Sequence, residues 1–165
     1  MKKDLNKTSR EIISYLIFGV LTTAVSMATY FGILWIGKGI LHIGPDEGRF
    51  YYVRLVAEIL QWIFAVLFAF FTNKKWVFTD ADGNTSAAKQ LMIFASGRLI
   101  TLGLDALITF GTVALLQSAG YVPFSISLLI ELTVSADLIA KVVASVVVVV
   151  TNYFISKLLV FKRAK

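Results

Sequence analysis

The stretch LIAKVVASVVVVVTNYFISKLLVF, residues 138 to 161, decides the fold of this chain. In water its run of consecutive valines would favour a β-strand, because β-branched side chains fit a pleated sheet. The same stretch is long and apolar enough to cross a hydrocarbon core of roughly 30 Å. Only helices and closed barrels satisfy their own backbone hydrogen bonds inside a bilayer, so we predict either a spanning helix or a barrel strand here.

Three further runs have the same character, at residues 12 to 36, 53 to 72 and 91 to 116. Four spans are too few to close a barrel, which leaves the helix. The 165 residues are 58% hydrophobic and 16% charged, a composition that does not suit a soluble domain. The first run is longer than the apolar part of a signal peptide, so we interpret it as a retained span. The sequence predicts an all-α membrane protein, with one transmembrane domain over residues 1 to 165.

Basic residues are distributed unequally between the two sides of the predicted membrane. The side of the membrane opposite the two termini has three basic residues in its first loop, Lys38, Arg49 and Arg54, and none in residues 117 to 137. The side that holds both termini and the middle loop carries Lys2, Lys3, Lys7, Arg10, Lys74, Lys75, Lys89, Lys157, Lys162, Arg163 and Lys165. The positive-inside bias therefore predicts a multi-pass protein of the cell membrane whose N- and C-termini face the cytoplasm.

The two halves of the sequence show weak, collinear similarity. A shift of 83 positions places residues 160 and 161, Val-Phe, on the Val-Phe of residues 77 and 78. A shift of 78 positions places residues 96 to 110 on residues 18 to 32. We predict two helical hairpins that form a parallel pseudo-repeat about an axis along the membrane normal. Chance similarity between apolar helices is the alternative.

Besides Arg54 and Lys157, which are counted above with the basic residues at the membrane surfaces, four charged residues lie within the predicted spans. They are Glu58, Arg98, Asp105 and Lys141. A charge costs at least about 2.5 kcal/mol at the centre of a membrane helix. Because Glu58 and Lys141 occupy matching positions of the repeat, we interpret them as an intramembrane ion pair or, alternatively, as groups with a gating or coupling role. Arg98, Thr101 and Asp105 follow an i, i+3, i+7 spacing and share one face of the third helix.

Arg98 is a candidate ligand for a lipid phosphate, because a guanidinium stays charged and binds phosphate through two parallel hydrogen bonds. Asp105 is interpreted either as its partner at rest or as an acceptor for a sugar or a proton. Ordinary helix packing is the alternative for the hydroxyl residues. The candidate substrate-binding residues for phosphate and sugar are Arg98, Asp105, Asn152, Ser156, Lys74, Lys75, Lys157 and Asn73.

Several kinds of chemistry lack the residues they need. The sequence has no cysteine and a single histidine, His42, in a loop, so we expect no metal site and no cofactor. No GxSxG, P-loop, HExxH or GxGxxG pattern is present. We therefore predict that the protein is not an enzyme, that it binds membrane lipids and that it binds no nucleic acid.

Three segments carry a resemblance to a known family: FGVLTTAVS (18 to 26), FFTNKKWVF (70 to 78) and TNYFISKLLVF (151 to 161). In their order and spacing they resemble the GtrA-like family of four-helix membrane proteins, over nearly the whole chain. The resemblance implies translocation of a polyprenyl-phosphate-linked sugar across the cytoplasmic membrane. The sugar would serve glycosylation of a cell-surface polysaccharide such as O-antigen or teichoic acid.

Two other functions remain open from the sequence. The first is a non-catalytic subunit that anchors or stabilises a polyprenyl-phosphate glycosyltransferase, as the resemblance also implies. The second is a small multidrug or ion transporter, which would depend on a mid-membrane carboxylate, and Asp105 is the deep candidate. Four helices alone are too few to enclose a path for a glycolipid, so we also expect a homo-oligomer.

Overall fold

The computed structural model describes residues 2–44, 47–79, 81, 85–127 and 131–162, with the backbone alone for residues 2–6, 126, 127, 131 and 132. Its helices are α1 (Lys2–Gly39), α2 (Gly48–Thr72), α3 (Ala87–Ser118) and α4 (Ala136–Ile155). Within this described part, four helical segments are long and apolar enough to cross a membrane. The predicted all-α fold with four spans is confirmed.

The valine run of residues 146 to 150 lies inside α4, as predicted. The helix begins after Ser135, whose hydroxyl accepts a hydrogen bond of 3.1 Å from the N–H of Leu138 and so satisfies one free donor of the first turn. α1 and α3 begin earlier than the predicted spans, because their polar first turns continue the helix beyond the apolar run.

The segment before α4 contains two strands that the sequence analysis did not predict. β1 (Phe124–Ser127) pairs antiparallel with β2 (Glu131–Val134), with Phe124 opposite Val134. The Tyr121 hydroxyl donates to the Val134 carbonyl at 2.9 Å and so links β2 to the residues that precede β1. Pairing gives the backbone groups of this apolar loop partners that water would otherwise supply.

The chain divides into two compact units, one ending at Ala87 and the other spanning Ala88–Lys162. We call α1, α2 and the residues through Phe78 hairpin 1. We call α3, the two strands, α4 and the residues through Phe161 hairpin 2. The packing of each hairpin is described by itself.

Hairpin 1 is closed by contacts near both ends of its helices. At one end α1 approaches α2 so closely that a Cβ on Gly37 would lie 2.6 Å from Cγ1 of Val53. At the other end the ring of Phe18 stacks on that of Trp76, with centroids 5.3 Å apart. The Tyr15 and Phe78 rings lie 6.5 Å apart beside them. A side chain at position 37 would require Val53 or one of the helices to shift, so glycine permits this close approach.

The turn between α1 and α2 is held by the carboxylate of Glu47. It accepts the backbone N–H of Gly44 at 2.8 Å and the guanidinium of Arg49 at 2.6 Å. The Gly44 bond, and to a smaller degree the Arg49 bond, hold the pKa of this carboxyl below its usual range.

Hairpin 2 has a similar close contact. A Cβ on Gly97 of α3 would lie 2.8 Å from Cγ2 of Ile155 on α4. The buried rings of Phe94 and Phe161 lie 6.2 Å apart, at an interplanar angle of 53°. A small residue and an aromatic pair therefore join the two helices near the end of α4.

Both hairpins end in a five-residue π-helical segment, Asn73–Val77 after α2 and Ser156–Val160 after α4. The N–H of Phe78 donates to the Asn73 carbonyl at 2.8 Å, and the N–H of Phe161 donates to the Ser156 carbonyl at 2.8 Å. π-helical turns are rare and occur often at functional sites. These matched ends support the pseudo-repeat, which stays a prediction.

Much of the surface of the helices is apolar. Val20 of α1 and Leu107 and Phe110 of α3 are more than two-thirds exposed. Contiguous apolar surface of this extent is unfavourable in water but suits acyl chains. The surface thus agrees with a chain that spans a membrane.

The orientation of the helices is testable because the chain has no native cysteine. We expect an Ala119→Cys variant, just after α3, to react with a membrane-impermeant maleimide in intact cells. An Ala88→Cys variant, at the start of α3, is expected to react only after permeabilisation, since the positive-inside bias places it in the cytoplasm. The unmodified chain is the control, and the reverse labelling pattern would refute the predicted orientation.

Candidate functional site

The candidate site in hairpin 2 begins with a hydrogen bond between α3 and α4. The hydroxyl of Thr101 lies 3.0 Å from Oδ1 of Asn152, and both side chains are buried. The hydroxyl also lies 3.1 Å from the Arg98 carbonyl, so its single proton is shared between two acceptors. The bridge brings Asn152 of α4 against the turn of α3 that begins at Arg98.

Arg98 lies on α3 about 16 Å along the helix axis from Ala87. Its Cζ atom is 5.1 Å from the centroid of the Phe94 ring, four residues earlier on the same helix. The N–H groups of a guanidinium lie in its plane and point to its edges. A guanidinium whose face contacts an aromatic ring therefore still has these donors directed away from the ring. The side chain is only half-buried, so these donors are accessible to a ligand.

Asp105 pairs with Lys141 rather than with Arg98. The Lys141 Nζ atom donates to Oδ2 of Asp105 at 2.5 Å, across from α4 to α3. The lysine side chain is 59% exposed and the aspartate 23%, so the pair is open on its lysine side. Lys141 thereby neutralises a carboxylate that would be costly in the span. The predicted pairing of Lys141 with Glu58, which lies in the other hairpin, stays a prediction.

The remaining candidates gather at the two π-helical segments. Asn73 and Ser156 are buried and begin these segments. Among the residues that the structure describes, the Asn73 Oδ1 atom has no hydrogen-bond partner. A buried carbonyl oxygen without a partner is costly, and a bound donor would relieve that cost.

The lysines of these segments lie over aromatic rings. Lys74 Nζ is 5.8 Å from the Phe70 centroid, and Lys157 Nζ is 5.2 Å from that of Tyr153. Lys157 also donates to the Tyr153 hydroxyl at 2.8 Å. Lys75 lies 4.9 Å from the ring of its neighbour, Trp76.

One spacing unites several of these cations. Lys74, Arg98 and Lys157 each follow the ring that they contact by four residues. Residues four apart are neighbours on a helix surface, so this pattern is visible in the sequence itself. A ring in contact with a cation offsets part of the cost of removing that charge from water.

Hairpin 1 contains a polar network that the sequence analysis missed. Ser26 of α1 donates across the hairpin to Oε1 of Gln61 at 2.8 Å. Gln61 in turn donates through Nε2 to Oε2 of Glu58, one turn earlier on α2. The sequence does contain a sign of this network: Gln61 is an amide in the middle of an apolar run and follows the carboxylate of Glu58 by three residues.

An apolar cavity of about 490 Å³ lies where α1 ends and α2 begins. Its lining includes one charged residue, Arg49. The other lining residues are Ile33, Ile36, Gly37, Leu41, Ile43, Tyr52, Val53 and Val56. A cavity with this lining suits a hydrocarbon chain and offers few hydrogen bonds to a sugar.

The described residues contain no group of three or more His, Cys, Asp or Glu side chains that would hold a metal ion. His42 is exposed and has a positive φ of 51° in the turn after α1. A positive φ in a residue other than glycine occurs mostly in turns, so His42 adopts the backbone conformation of a turn residue.

Comparison with known proteins gives a consistent result. The family model for the GtrA/DPMS transmembrane domain matches residues 14–161. The chain is 32% identical to the uncharacterized membrane protein YwcD of Bacillus subtilis, over 92% of this chain and 96% of the relative. It is 29% identical to the cell wall teichoic acid glycosylation protein GtcA of Listeria monocytogenes, over 93% of this chain and 86% of the relative. No solved structure matches the chain.

The bridge between Thr101 and Asn152 is testable by its contribution to stability. We expect Thr101→Val to lower the free energy of unfolding in bicelles by about 1 kcal/mol, because the buried Asn152 oxygen loses its donor. Thr22→Val is the matched control, since the Thr22 hydroxyl bonds only to the Phe18 carbonyl of its own helix, at 2.7 Å. Equal effects of the two substitutions would show that the bridge does not join α3 to α4.

Proposed function

Because the chain belongs to the GtrA/DPMS family of membrane proteins, we propose that it serves cell-surface glycosylation by carrying a polyprenyl-phosphate-linked sugar to the outer leaflet. The Listeria relatives named for teichoic acid glycosylation support a role in glycosylation. The observation that carries the translocation step is the cluster of Arg98, Thr101 and Asn152 inside hairpin 2.

The physical problem of such a step lies in the headgroup. A sugar loses its hydrogen bonds with water in hydrocarbon, and an isolated phosphate charge costs far more. The prenyl tail, in contrast, is a hydrocarbon and is soluble in the core of the bilayer. A carrier therefore has to supply hydrogen bonds and positive charge within the span while leaving a path for the tail in the lipid.

Arg98 supplies the charge for the phosphate. Its guanidinium rests on the Phe94 ring, and its in-plane donors match the oxygens of a phosphate. Lys74, Lys75 and Lys157, at the ends of the hairpins, attract the anionic lipid to the surface before it reaches Arg98. All four cations contact aromatic rings, and the cation–π attraction compensates for part of the hydration that they lose.

Asp105 supplies hydrogen-bonding groups for the sugar, while the buried Asn152 fixes the turn of α3 that carries Arg98 and Thr101. Lys141 balances the charge of Asp105, so the ion pair as a whole lies in the span without net charge, while the aspartate stays a carboxylate. Its second oxygen is available to accept a sugar hydroxyl. Asn73 and Ser156 offer further polar groups at the starts of the π-helical segments.

The test is translocation by the purified full chain in liposomes that contain a fluorescent polyprenyl-phosphate-glucose. We expect wild-type protein to move the lipid between leaflets and Arg98→Ala to slow the movement about tenfold or more, because a charged hydrogen-bonded contact is lost. Arg98→Lys is expected to be intermediate, since lysine keeps the charge without the planar fork.

Arg54→Ala is the matched control. Its guanidinium also lies over a ring four residues earlier, 5.2 Å from the Phe50 centroid, but near the start of α2. If Arg98→Ala and Arg54→Ala both leave the rate unchanged, the phosphate role of Arg98 is wrong. If wild-type protein moves no lipid but co-purifies with a membrane glycosyltransferase, the subunit function replaces translocation.

A further inference from the structure

Of Glu58, Arg98, Asp105 and Lys141, the four charged residues singled out within the spans, Glu58 is the one that the proposed function leaves unused. It lies about 15 Å along α2 from Gly48 and is exposed at the surface of the helix. Within the described part of hairpin 1, no lysine or arginine forms a salt bridge with it. A carboxylate at this depth costs free energy unless it binds something, so intramembrane carboxylates commonly mark a functional site.

The surroundings of Glu58 are organised by hydrogen bonds. Gln61 donates one amide hydrogen to Glu58 and accepts the hydroxyl of Ser26 at 2.8 Å. The neighbouring hydroxyls of α1 behave differently, because Thr22 and Thr29 donate to carbonyls of their own helix, at 2.7 and 2.9 Å. Ser26 alone of these three is directed to α2, and it fixes the orientation of the Gln61 amide.

The three side chains retain hydrogen-bonding capacity. Glu58 keeps Oε1 as an acceptor, Gln61 keeps its second amide hydrogen as a donor, and the Ser26 oxygen keeps its lone pairs. None of the three is fully buried, so a molecule in the membrane reaches them. The set combines acceptors with a donor on one side of hairpin 1.

This combination selects the chemistry of the ligand. A phosphate is repelled by the carboxylate of Glu58. A divalent cation needs several oxygen ligands, and in the described residues no three acidic or histidine side chains converge. A sugar hydroxyl both donates and accepts, so two neighbouring hydroxyls satisfy a carboxylate oxygen and an amide N–H together.

We propose that Ser26, Glu58 and Gln61 form a binding site for the hydroxyl groups of the sugar on the lipid carrier. The inference rests on the proposed function and adds to it a contact that recognises the sugar rather than the phosphate. The site lets the protein distinguish a glycosylated carrier from a bare one, because a bare polyprenyl phosphate has no sugar hydroxyl to bond with Glu58 and Gln61.

The experiment compares equilibrium binding of polyprenyl phosphate with that of its glucose, galactose and N-acetylglucosamine derivatives, using the full chain in nanodiscs. We expect wild-type protein to bind at least one glycosylated lipid about tenfold more tightly than bare polyprenyl phosphate. Gln61→Leu and Glu58→Gln are expected to reduce this preference to about twofold, the part that the Asp105 contact with the sugar retains, with the affinity for bare polyprenyl phosphate not weakened.

Thr29→Val is the control on α1, because its hydroxyl contacts only its own helix. It should keep the wild-type preference. Ser26→Ala is a milder variant should Gln61→Leu fail to fold, and it is expected to weaken the preference at least threefold. A wild-type protein without any preference, or folded variants that keep the full preference, would overturn the proposal.

The translocation assay separates this inference from the proposed function. Sugar-dependent binding without lipid movement would refute translocation and leave the sugar site intact. Lipid movement by wild-type protein, with unchanged sugar preference in the Glu58 and Gln61 variants, would refute the sugar site and leave translocation intact.

Discussion

The structure depends on one constraint: a polar group in hydrocarbon has to find its partner within the protein. The constraint acts first on the backbone and makes the valine-rich segment of residues 146 to 150 a helix. It acts next on side chains, which meet in pairs across each hairpin. Ser26 contacts Gln61, Thr101 contacts Asn152, and Asp105 contacts Lys141.

These pairs differ in what they leave available. The bond between Thr101 and Asn152 is buried and joins α3 to α4. The contacts around Asp105 and Glu58 are open to the surroundings and keep unused carboxylate oxygens. Arg98 lies one turn from the buried bond with its donors accessible. Rigid packing beside open charged groups is the arrangement that a binding site for a polar lipid headgroup requires.

The sequence predicted much of the fold and part of the candidate site. The number of spans follows from hydropathy, and the shared face of Arg98, Thr101 and Asp105 follows from helix geometry, because both are properties of a single segment. The strands around Phe124 and Val134 were not predicted, although hydrophobic and polar residues alternate there. The orientation of the chain and the repeat stay predictions from charge and similarity.

Sequence alone determined that this chain is a membrane protein with four helical spans, since the energy of placing a segment in a bilayer depends on its own composition. Only tertiary structure decided that Lys141 neutralises Asp105 and that Gln61 links Ser26 to Glu58. Each partner lies on another helix or on another turn, and small rotations of the helices decide which side chains face one another. Hydropathy contains no information about those rotations, because it sums over all faces of a helix.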